Sequence, residues 1–563
     1  MPSPPNRRIG WPRLSARAAT RCASGRNGPG IRAAAALALL LVASPALAAP
    51  GPVVAEPEPG VSDGAEGHPL VDVELKGLLR ARGQWIGNGS LGNGTSGLPT
   101  PVSAATGGAG AGDRLAQADL RLRLQPALQL GSYARIDSQL ELAGAMVFGG
   151  DPRDASVLSD AAGFEGQGAV RGGFGVRRLW ATFDVFGLAS FEVGRTPDHF
   201  GLGLHRNDGR DSRADWQSDV DRVRVSSELL GMRIRLSRDT MATLPMVGQG
   251  LGALDLRYSV ADSTDVIRWL AEVESATPAD APGLRWAFAV GYQDQAVGLA
   301  LEHDDDPAQK LASDCILSGT CANLVVRSAT LVTPQAFVAW RRPTQLGALT
   351  LQAEAVVRVG TLDNADNLAS TDTSKIIVGG GGMVRGDLVA NRWALRLDVG
   401  YASGDEEGGF GVLDRANLTV PGPAGEVHRT WLTGMPWHRG MLVDGLLFRE
   451  VIGAVANSGF ARPALRRTVL GTPASAAGDA SAMGLDVEVA AVAAMAARVG
   501  ATPGNARWLG LQPELRVDAR FGPFGTAILH GSWLVPGAGL AAGPGGKAAD
   551  SAFRLALDWV AAF

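Results

Sequence analysis

The chain has 563 residues, of which 75 are glycine and only 19% are charged, and its mean hydropathy is slightly positive at +0.07. This length would suit several soluble domains of about 100–200 residues each. The low content of charge argues against that organisation, because so much apolar surface needs either a large core or a wall that faces lipid.

The N-terminus has the three parts of a secretory signal peptide. Residues 1–32 carry seven arginines and no acid, residues 33–43 are apolar, and Ala46-Leu47-Ala48 supplies the small residues of a cleavage site. The apolar run is shorter than the about 20 residues that a membrane-spanning helix needs, and Pro45 ends it. We predict a signal peptide over 1–48, a flexible mature N-terminus over 49–69 and one folded domain over 70–563.

Removal of the predicted signal peptide makes the chain more acidic. The predicted signal peptide holds seven of the 52 basic residues and none of the 56 acidic residues, so the mature chain has a net charge of −11. Binding to phosphate backbones requires a basic surface. We therefore expect no nucleic acid partner.

The folded part begins with a strand that is apolar on one face and polar on the other. Between Val71 and Trp85 apolar residues alternate with polar ones, and Asp72, Glu74 and Lys76 share the polar face. Successive side chains of a strand point to opposite faces, so this period of two predicts a strand with one greasy side.

The same alternation recurs along the chain. The clearest further strands cover residues 116–130, 133–144, 349–359, 391–401 and 511–521, and the less regular ones cover 178–186, 188–194, 222–229, 231–238, 253–260, 284–292 and 484–490. Soluble strands average about five or six residues, whereas a tilted strand that crosses a bilayer needs about 9–11. The length of the clear strands therefore favours a membrane wall, although the alternation alone does not say which face is wet.

Short connections alternate with long polar ones. Gly187 and Gly347 mark short connections, whereas residues 195–221, 403–440 and 457–483 form long ones. This asymmetry is typical of outer-membrane barrels, and in hydrocarbon every strand needs two neighbours. We predict an all-β fold, a transmembrane antiparallel β-barrel of about 16 strands (range about 14–18), with short periplasmic turns and long extracellular loops.

The last strand carries a localisation signal of its own. Over residues 553–563 the aromatic residues Phe553, Trp559 and Phe563 share one face, and the sequence stops on Phe563. This resembles the C-terminal strand of outer-membrane barrels, whose terminal Phe is recognised by the assembly machinery. We expect Trp559 and Phe563 to form a C-terminal assembly signal, the cell outer membrane to be the location, and outer-membrane lipid and the barrel assembly machinery to be partners.

One stretch concentrates charge where a predicted strand ends at Arg195. Opposed charges that line a pore narrow it and set a field that filters solutes. A loop folded into the barrel as a plug, with its charges paired to each other, is the alternative, and both interpretations stay open. The candidate residues are Arg195, Asp198, His199, Arg206, Asp208, Arg210, Asp211, Arg213, Asp215, Asp219, Asp221 and Arg222.

Two short motifs carry a family resemblance. Residues 194–203 contain Gly-Arg-x-Pro followed by Gly-Leu-Gly, and residues 444–450 read Asp-Gly-Leu-Leu-Phe-Arg-Glu, with Asn457 after them. These segments resemble an uncharacterised family of porin-like outer-membrane proteins of myxobacterial type, which are similar in look to alginate-export porins. The resemblance runs from Val71 to Phe563 and implies a barrel in the outer membrane. That family has no agreed substrate, so the resemblance implies no mechanism.

Two cysteines remain after export. Cys315 and Cys321 lie close together in a polar stretch, and an oxidising compartment favours a disulfide that closes a small loop. A metal site is less favoured, because only His303 and the acidic residues 304–306 lie near. We predict no metal and no cofactor.

No catalytic motif is found. The sequence lacks GxSxG, HExxH, a P-loop and a dinucleotide fingerprint, and His199 and His205 lie in the charged stretch without a nucleophile system. We predict that the chain is not an enzyme but a porin-like channel for passive or weakly selective diffusion of small hydrophilic solutes. A plugged or structural barrel, in carbohydrate export or surface anchoring, is the alternative.

Overall fold

The computed structural model describes residues 71–89, 91–92, 114–141, 146–148, 175–241, 266–278, 281–301, 324–345, 347–363, 374–405, 431–472, 483–541 and 545–563. The predicted signal peptide, the predicted N-terminal segment, the strand at 253–260 and the cysteine pair Cys315 and Cys321 lie outside these ranges. Within them no helix is long and apolar enough to cross a bilayer.

Twenty strands form one sheet. They are β1 (Val71–Gly87), β2 (Arg114–Leu130), β3 (Ala134–Glu141), β4 (Met146–Phe148), β5 (Gly175–Val185), β6 (Ala189–Pro197), β7 (Asp219–Leu229), β8 (Met232–Met241), β9 (Val266–Ser275), β10 (Gly283–Leu301), β11 (Leu324–Thr344), β12 (Gly347–Asp363), β13 (Lys375–Ala390), β14 (Trp393–Ala402), β15 (Trp431–Leu432), β16 (Ser458–Gly471), β17 (Met483–Ala496), β18 (Trp508–Phe521), β19 (Thr526–Pro536) and β20 (Ala552–Ala562).

The sheet closes on itself through antiparallel neighbours. In β1, Gly83 lies opposite Ala118 of β2 on one side and opposite Leu557 of β20 on the other. A closed wall leaves no unpaired edge, which is the condition for a sheet surrounded by hydrocarbon. The predicted all-β antiparallel barrel is therefore confirmed.

The wall has 18 strands. β3 and β4 pair with two successive parts of β2, so together they make one wall strand. β15 pairs in parallel with Ile376 and Ile377 at the start of β13, and it is an extra strand beside the wall. The predicted number of about 16 was too low, although 18 lies at the upper limit of the predicted range.

Strand β16 explains part of that difference. We predicted residues 457–483 as a loop, but residues 458–471 form a wall strand. Its alternation is irregular, because Phe460 is buried on the inner face and Pro463 lies on the outer one. The side-chain pattern of this strand therefore does not resemble that of its neighbours.

The burial of β14 shows which face of the wall is enclosed. Leu395, Leu397 and Val399 are 50%, 48% and 46% exposed, whereas Asp398 between them is 2% exposed. A soluble barrel would do the opposite and place its apolar side chains in the core. The arrangement fits a wall whose outer surface meets hydrocarbon and whose inner surface is polar.

The two ends of the barrel differ. One end, here called the turn end, carries short connections such as residues 186–188 and the Leu230-Gly231 hairpin. Leu230 and Gly231 have φ angles of 53° and 72°, as a type I′ hairpin turn requires. The other end, here called the loop end, carries the connections 198–218 and 433–457.

The chain terminus closes the seam between β1 and β20 at the turn end. Gly77 and Phe563 exchange two backbone hydrogen bonds, of 2.6 and 3.0 Å. A Cβ atom on Gly77 would lie 2.2 Å from the ring of Phe563, so a larger residue at this position would displace the ring. Trp559 packs against Phe521 of β18, with ring centroids 5.5 Å apart. The role of Trp559 and Phe563 as an assembly signal stays a prediction.

We expect the change Leu397→Arg to lower the fraction of protein that folds, because a charge in the middle of the outer face costs about 2–4 kcal/mol. Arg396→Gln, at the next position but on the inner face, is the control and should fold like the wild type. Heat-modifiable gel migration of the extracted protein measures the folded fraction. Equal folded fractions for the two variants would contradict the assignment of the faces.

Candidate functional site

Two connections at the loop end turn into the barrel. The first inward segment, residues 198–218, joins β6 to β7, and the second inward segment, residues 433–457, joins β15 to β16. Leu204 and Arg206 of the first are 0% and 2% exposed, and Trp437 of the second is 0% exposed. These segments fill space that the wall encloses.

The first inward segment is anchored by buried ion pairs around Asp198. One carboxylate oxygen of Asp198 lies 3.1 Å from Arg206 and 2.9 Å from Arg222 of β7, and the other lies 2.7 Å from Arg268 of β9. Asp239 of β8 pairs with the same two wall arginines at 2.6 Å each. Burial opposes the charge of Asp198, but Arg268, Arg206 and Arg222 hold the pKa of its carboxyl well below the usual range.

The Gly-Leu-Gly motif anchors the same segment to β12. The backbone N–H groups of Leu202 and Gly203 donate to one carboxylate oxygen of Glu354 on β12, at 2.5 and 3.0 Å. Gly201 and Gly203 have φ angles of 55° and 89°, and a Cβ on Gly201 would lie 2.7 Å from Glu354. The two glycines therefore shape the backbone into a nest that holds an anionic side chain.

Asp215 is the third anchor of the first inward segment. Its carboxylate accepts from Arg80 at 2.8 Å and from Arg82 at 2.9 Å, both on β1, and from Arg449 of the second inward segment at 2.7 Å. The two β1 arginines are also paired with Asp119 of β2, at 2.9 and 2.6 Å. Asp215 thus connects the wall with both inward segments.

The second inward segment is anchored mainly by apolar packing. It contains a short π-helix, Leu447–Ile452, in which Leu447, Phe448 and Val451 are buried. Phe448 and Trp437 pack on Phe460 of β16, with ring centroids 5.5 and 5.7 Å apart. These residues belong to a buried apolar cluster, which therefore anchors the second inward segment.

Asp444 lies three residues before the π-helix. Its carboxylate accepts the backbone N–H groups of Phe448 and Arg449, at 2.9 and 3.2 Å. The neighbouring Gly445 donates its N–H to Glu514 of β18 at 2.7 Å. Burial, with the charge of Glu514 adding to it, raises the pKa of Asp444 to about 7.

A cavity of about 330 Å³ lies between the inward segments and the turn end of β13 and β14. It is lined by more arginines than acids, because nine arginines face six carboxylates. The arginines are Arg213, Arg385, Arg392, Arg396, Arg449, Arg462, Arg466, Arg516 and Arg554. The acids are Asp387, Asp398, Asp444, Glu488, Glu514 and Asp558.

Most of the predicted charged residues are paired within or around the first inward segment. Asp208 lies 3.1 Å from His199 and 2.7 Å from Arg210, and Asp211 lies 2.9 Å from Arg213. Asp219 at the start of β7 pairs with Arg177 and Arg178 of β5. Together with the Asp198 and Asp215 contacts, these pairs place ten of the twelve candidates on or beside the first inward segment.

Arg195 and Asp221 lie elsewhere. They pair with each other at 2.7 Å and stand on the same face as Val193 and Val223, which are 46% and 53% exposed. This is the outer face of the barrel, so these two residues do not line the lumen. The prediction grouped them with their neighbours and did not follow the alternation of β6 and β7.

Several residues of this site were not among the candidates. Arg80, Arg82 and Glu354 were recognised only as members of polar strand faces, and Arg268 and Arg449 were not singled out as ligands of the charged stretch. The polar parity of each strand was the available signal. Which carboxylate each arginine meets depends on pairings far apart in the sequence.

Comparison with known proteins gives fold-level similarities only. No family model and no curated protein matches the sequence. Among solved structures, OccK9 (OpdG) of Pseudomonas aeruginosa is 11% identical, with 87% of this chain and 99% of that chain covered and a TM-score of 0.43. A BenF-like porin of Pseudomonas fluorescens is 8% identical, with 87% and 98% covered and a TM-score of 0.42.

A third structure, OprB of Pseudomonas putida, is 11% identical, with 88% and 94% covered and a TM-score of 0.38. At these values the assignment of the barrel rests on its own strand pairing. The resemblance to a myxobacterial family and to alginate-export porins stays a prediction.

We expect Asp198→Asn to destabilise the barrel by about 3–5 kcal/mol, because it leaves three buried arginines with too little negative charge. Asp211→Asn is the control and should cost about 0–1 kcal/mol, because the Asp211–Arg213 pair is partly exposed. Unfolding in denaturant, followed by tryptophan fluorescence, compares the two. A loss for Asp198→Asn no larger than for the control would contradict the anchoring role of this cluster.

The pKa of Asp444 predicts a second effect. Because its folded pKa of about 7 exceeds the ordinary 3.8, the folded state binds an extra proton between these values. This extra proton adds to the free energy of unfolding at low pH, and the contribution is lost as the pH rises towards 7. Asp444→Asn, which cannot ionise, should therefore gain stability relative to wild type between about pH 5 and about pH 8. Asp550→Asn, on an exposed carboxylate, is the control, and parallel pH profiles for Asp444→Asn and wild type would contradict the prediction.

Proposed function

We propose that the chain is an outer-membrane channel that lets small hydrophilic solutes diffuse through a charged lumen. The observation that carries this proposal is the inversion of the wall, which exposes Leu395 and Val399 outside and encloses Asp398 inside. Such a wall has one stable environment, a bilayer around a polar interior. With 18 strands the interior is wide enough to hold water as well as the inward segments.

The location follows from the same argument together with the leader. Barrels of this kind belong to outer membranes, and the predicted signal peptide over 1–48 supplies the export route. The proposed partners are membrane lipid around the wall, the barrel assembly machinery during insertion and solutes in the lumen. The short turns would face the periplasm and the long connections the outside.

A plugged or structural barrel is the second candidate, and one observation favours it. The first inward segment contacts β1 through Asp215, β9 through Asp198 and β12 through Leu202 and Gly203. The second inward segment packs on the remaining side of the lumen. Both segments thus occupy space that the wall encloses, as a plug would.

Purified protein in a planar lipid bilayer separates the two candidates. We expect discrete, stable conductance steps. Heat-modifiable gel migration of the same sample confirms that the barrel is folded. Folded protein without conductance steps would favour the plugged barrel.

A further inference from the structure

We propose that the ion pair between Arg449 and Asp215 closes the passage through the lumen, so that this contact sets the conductance of the channel. The inference rests on the proposed channel function. It assigns the narrowest point to the seam between the two inward segments and not to a ring of charges on either segment alone.

The seam has two parts. Away from the cavity, the N–H of His438 donates to the carbonyl oxygen of Leu204 at 2.6 Å, and the guanidinium of Arg439 lies 5.0 Å from the ring centre of Trp216. On the cavity side, Arg449 donates to Asp215 at 2.7 Å. The backbone contact fixes the segments relative to each other, and the ion pair closes the side that faces the cavity.

The cavity borders this ion pair, because Arg449 is one of its lining residues. Arg449 and Arg213 line it from the inward segments, and Asn391 and Trp393 line it at the turn end. A solute that enters this cavity from the turn end therefore reaches the guanidinium of Arg449. Parting the segments at Asp215 would extend the cavity towards the loop end.

Breaking the contact leaves each partner with other partners. Asp215 keeps Arg80 and Arg82, which hold it to the wall at 2.8 and 2.9 Å. Arg449 keeps Glu450, whose carboxylate lies 3.3 Å away. Each ion therefore keeps a compensating charge when this contact opens, which lowers the cost of opening it.

The secondary structure at Arg449 fits a movable element. Arg449 lies in the π-helix 447–452, a rare form that often occurs at functional sites. The helix is followed by Gly453 with a φ of 94°, a conformation that glycine adopts easily. The wall strands, by contrast, are paired on both sides.

The test compares single-channel conductance of variants in planar bilayers. Arg449→Met keeps most of the side-chain volume and removes the charge, so we expect a higher conductance per channel or a larger open fraction than in wild type. Arg449→Lys, which keeps the positive charge, should stay near wild type. The matched control is Arg213→Met, which removes an arginine from the same cavity but pairs with Asp211 of its own segment.

Heat-modifiable migration first establishes that each variant is folded. If Arg449→Met does not fold, Asp215→Asn takes its place with the same expected rise. Conductance of Arg449→Met equal to wild type, or an equal rise with Arg213→Met, would overturn the assignment of the gate while leaving the channel function intact. Folded wild type and folded variants that all fail to conduct would overturn the channel function itself, and the gate with it.

Discussion

The whole molecule depends on the closure of its hydrogen-bonded wall. Once β1 pairs with β20, each wall strand has two neighbours, and the alternation of side chains divides the sequence between an outside and an inside. Hydrocarbon accepts only the apolar half. The charged half, including Arg80, Arg82 and Asp398, has no other place than the enclosed space.

The enclosed charges explain why the inward segments fold as they do. Arginines on β1, β7 and β9 need anions, and the first inward segment supplies them as Asp198 and Asp215. The wall also carries a carboxylate that needs donors, Glu354, and the Gly-Leu-Gly turn supplies them from its backbone N–H groups. The second inward segment packs through Trp437 and Phe448 on Phe460 of β16. Ion pairs thus anchor the first segment, whereas apolar packing is the main anchor of the second.

The sequence predicted the wall better than it predicted the site. Alternation in strands such as β14 is visible directly, because it is a local property of neighbouring residues. The strand count fell short where alternation fails, as in β16, whose Phe460 faces inward. In the site, the Gly-Leu-Gly and Asp444 motifs were recognised from the sequence. Glu354 of β12 and Glu514 of β18 were not identified as the carboxylates that bind these motifs. Which side chains meet in such pairs depends on the register of strands that lie far apart in the sequence. The alternation could have placed Arg195 and Asp221 on the outer face, because each lies two residues from an outward-facing valine, Val193 or Val223.

The seam at Phe563 has a consequence for the order of folding. Hairpins such as β7–β8 join residues that are near neighbours in sequence, whereas the contact of Gly77 with Phe563 joins the two ends of the described chain. Closing so long a loop costs the most chain entropy, so this contact is expected to form last. Until then β1 and β20 are both open edges, able to pair with other chains. Both open edges therefore disappear in the same step, the one that brings the ring of Phe563 onto Gly77.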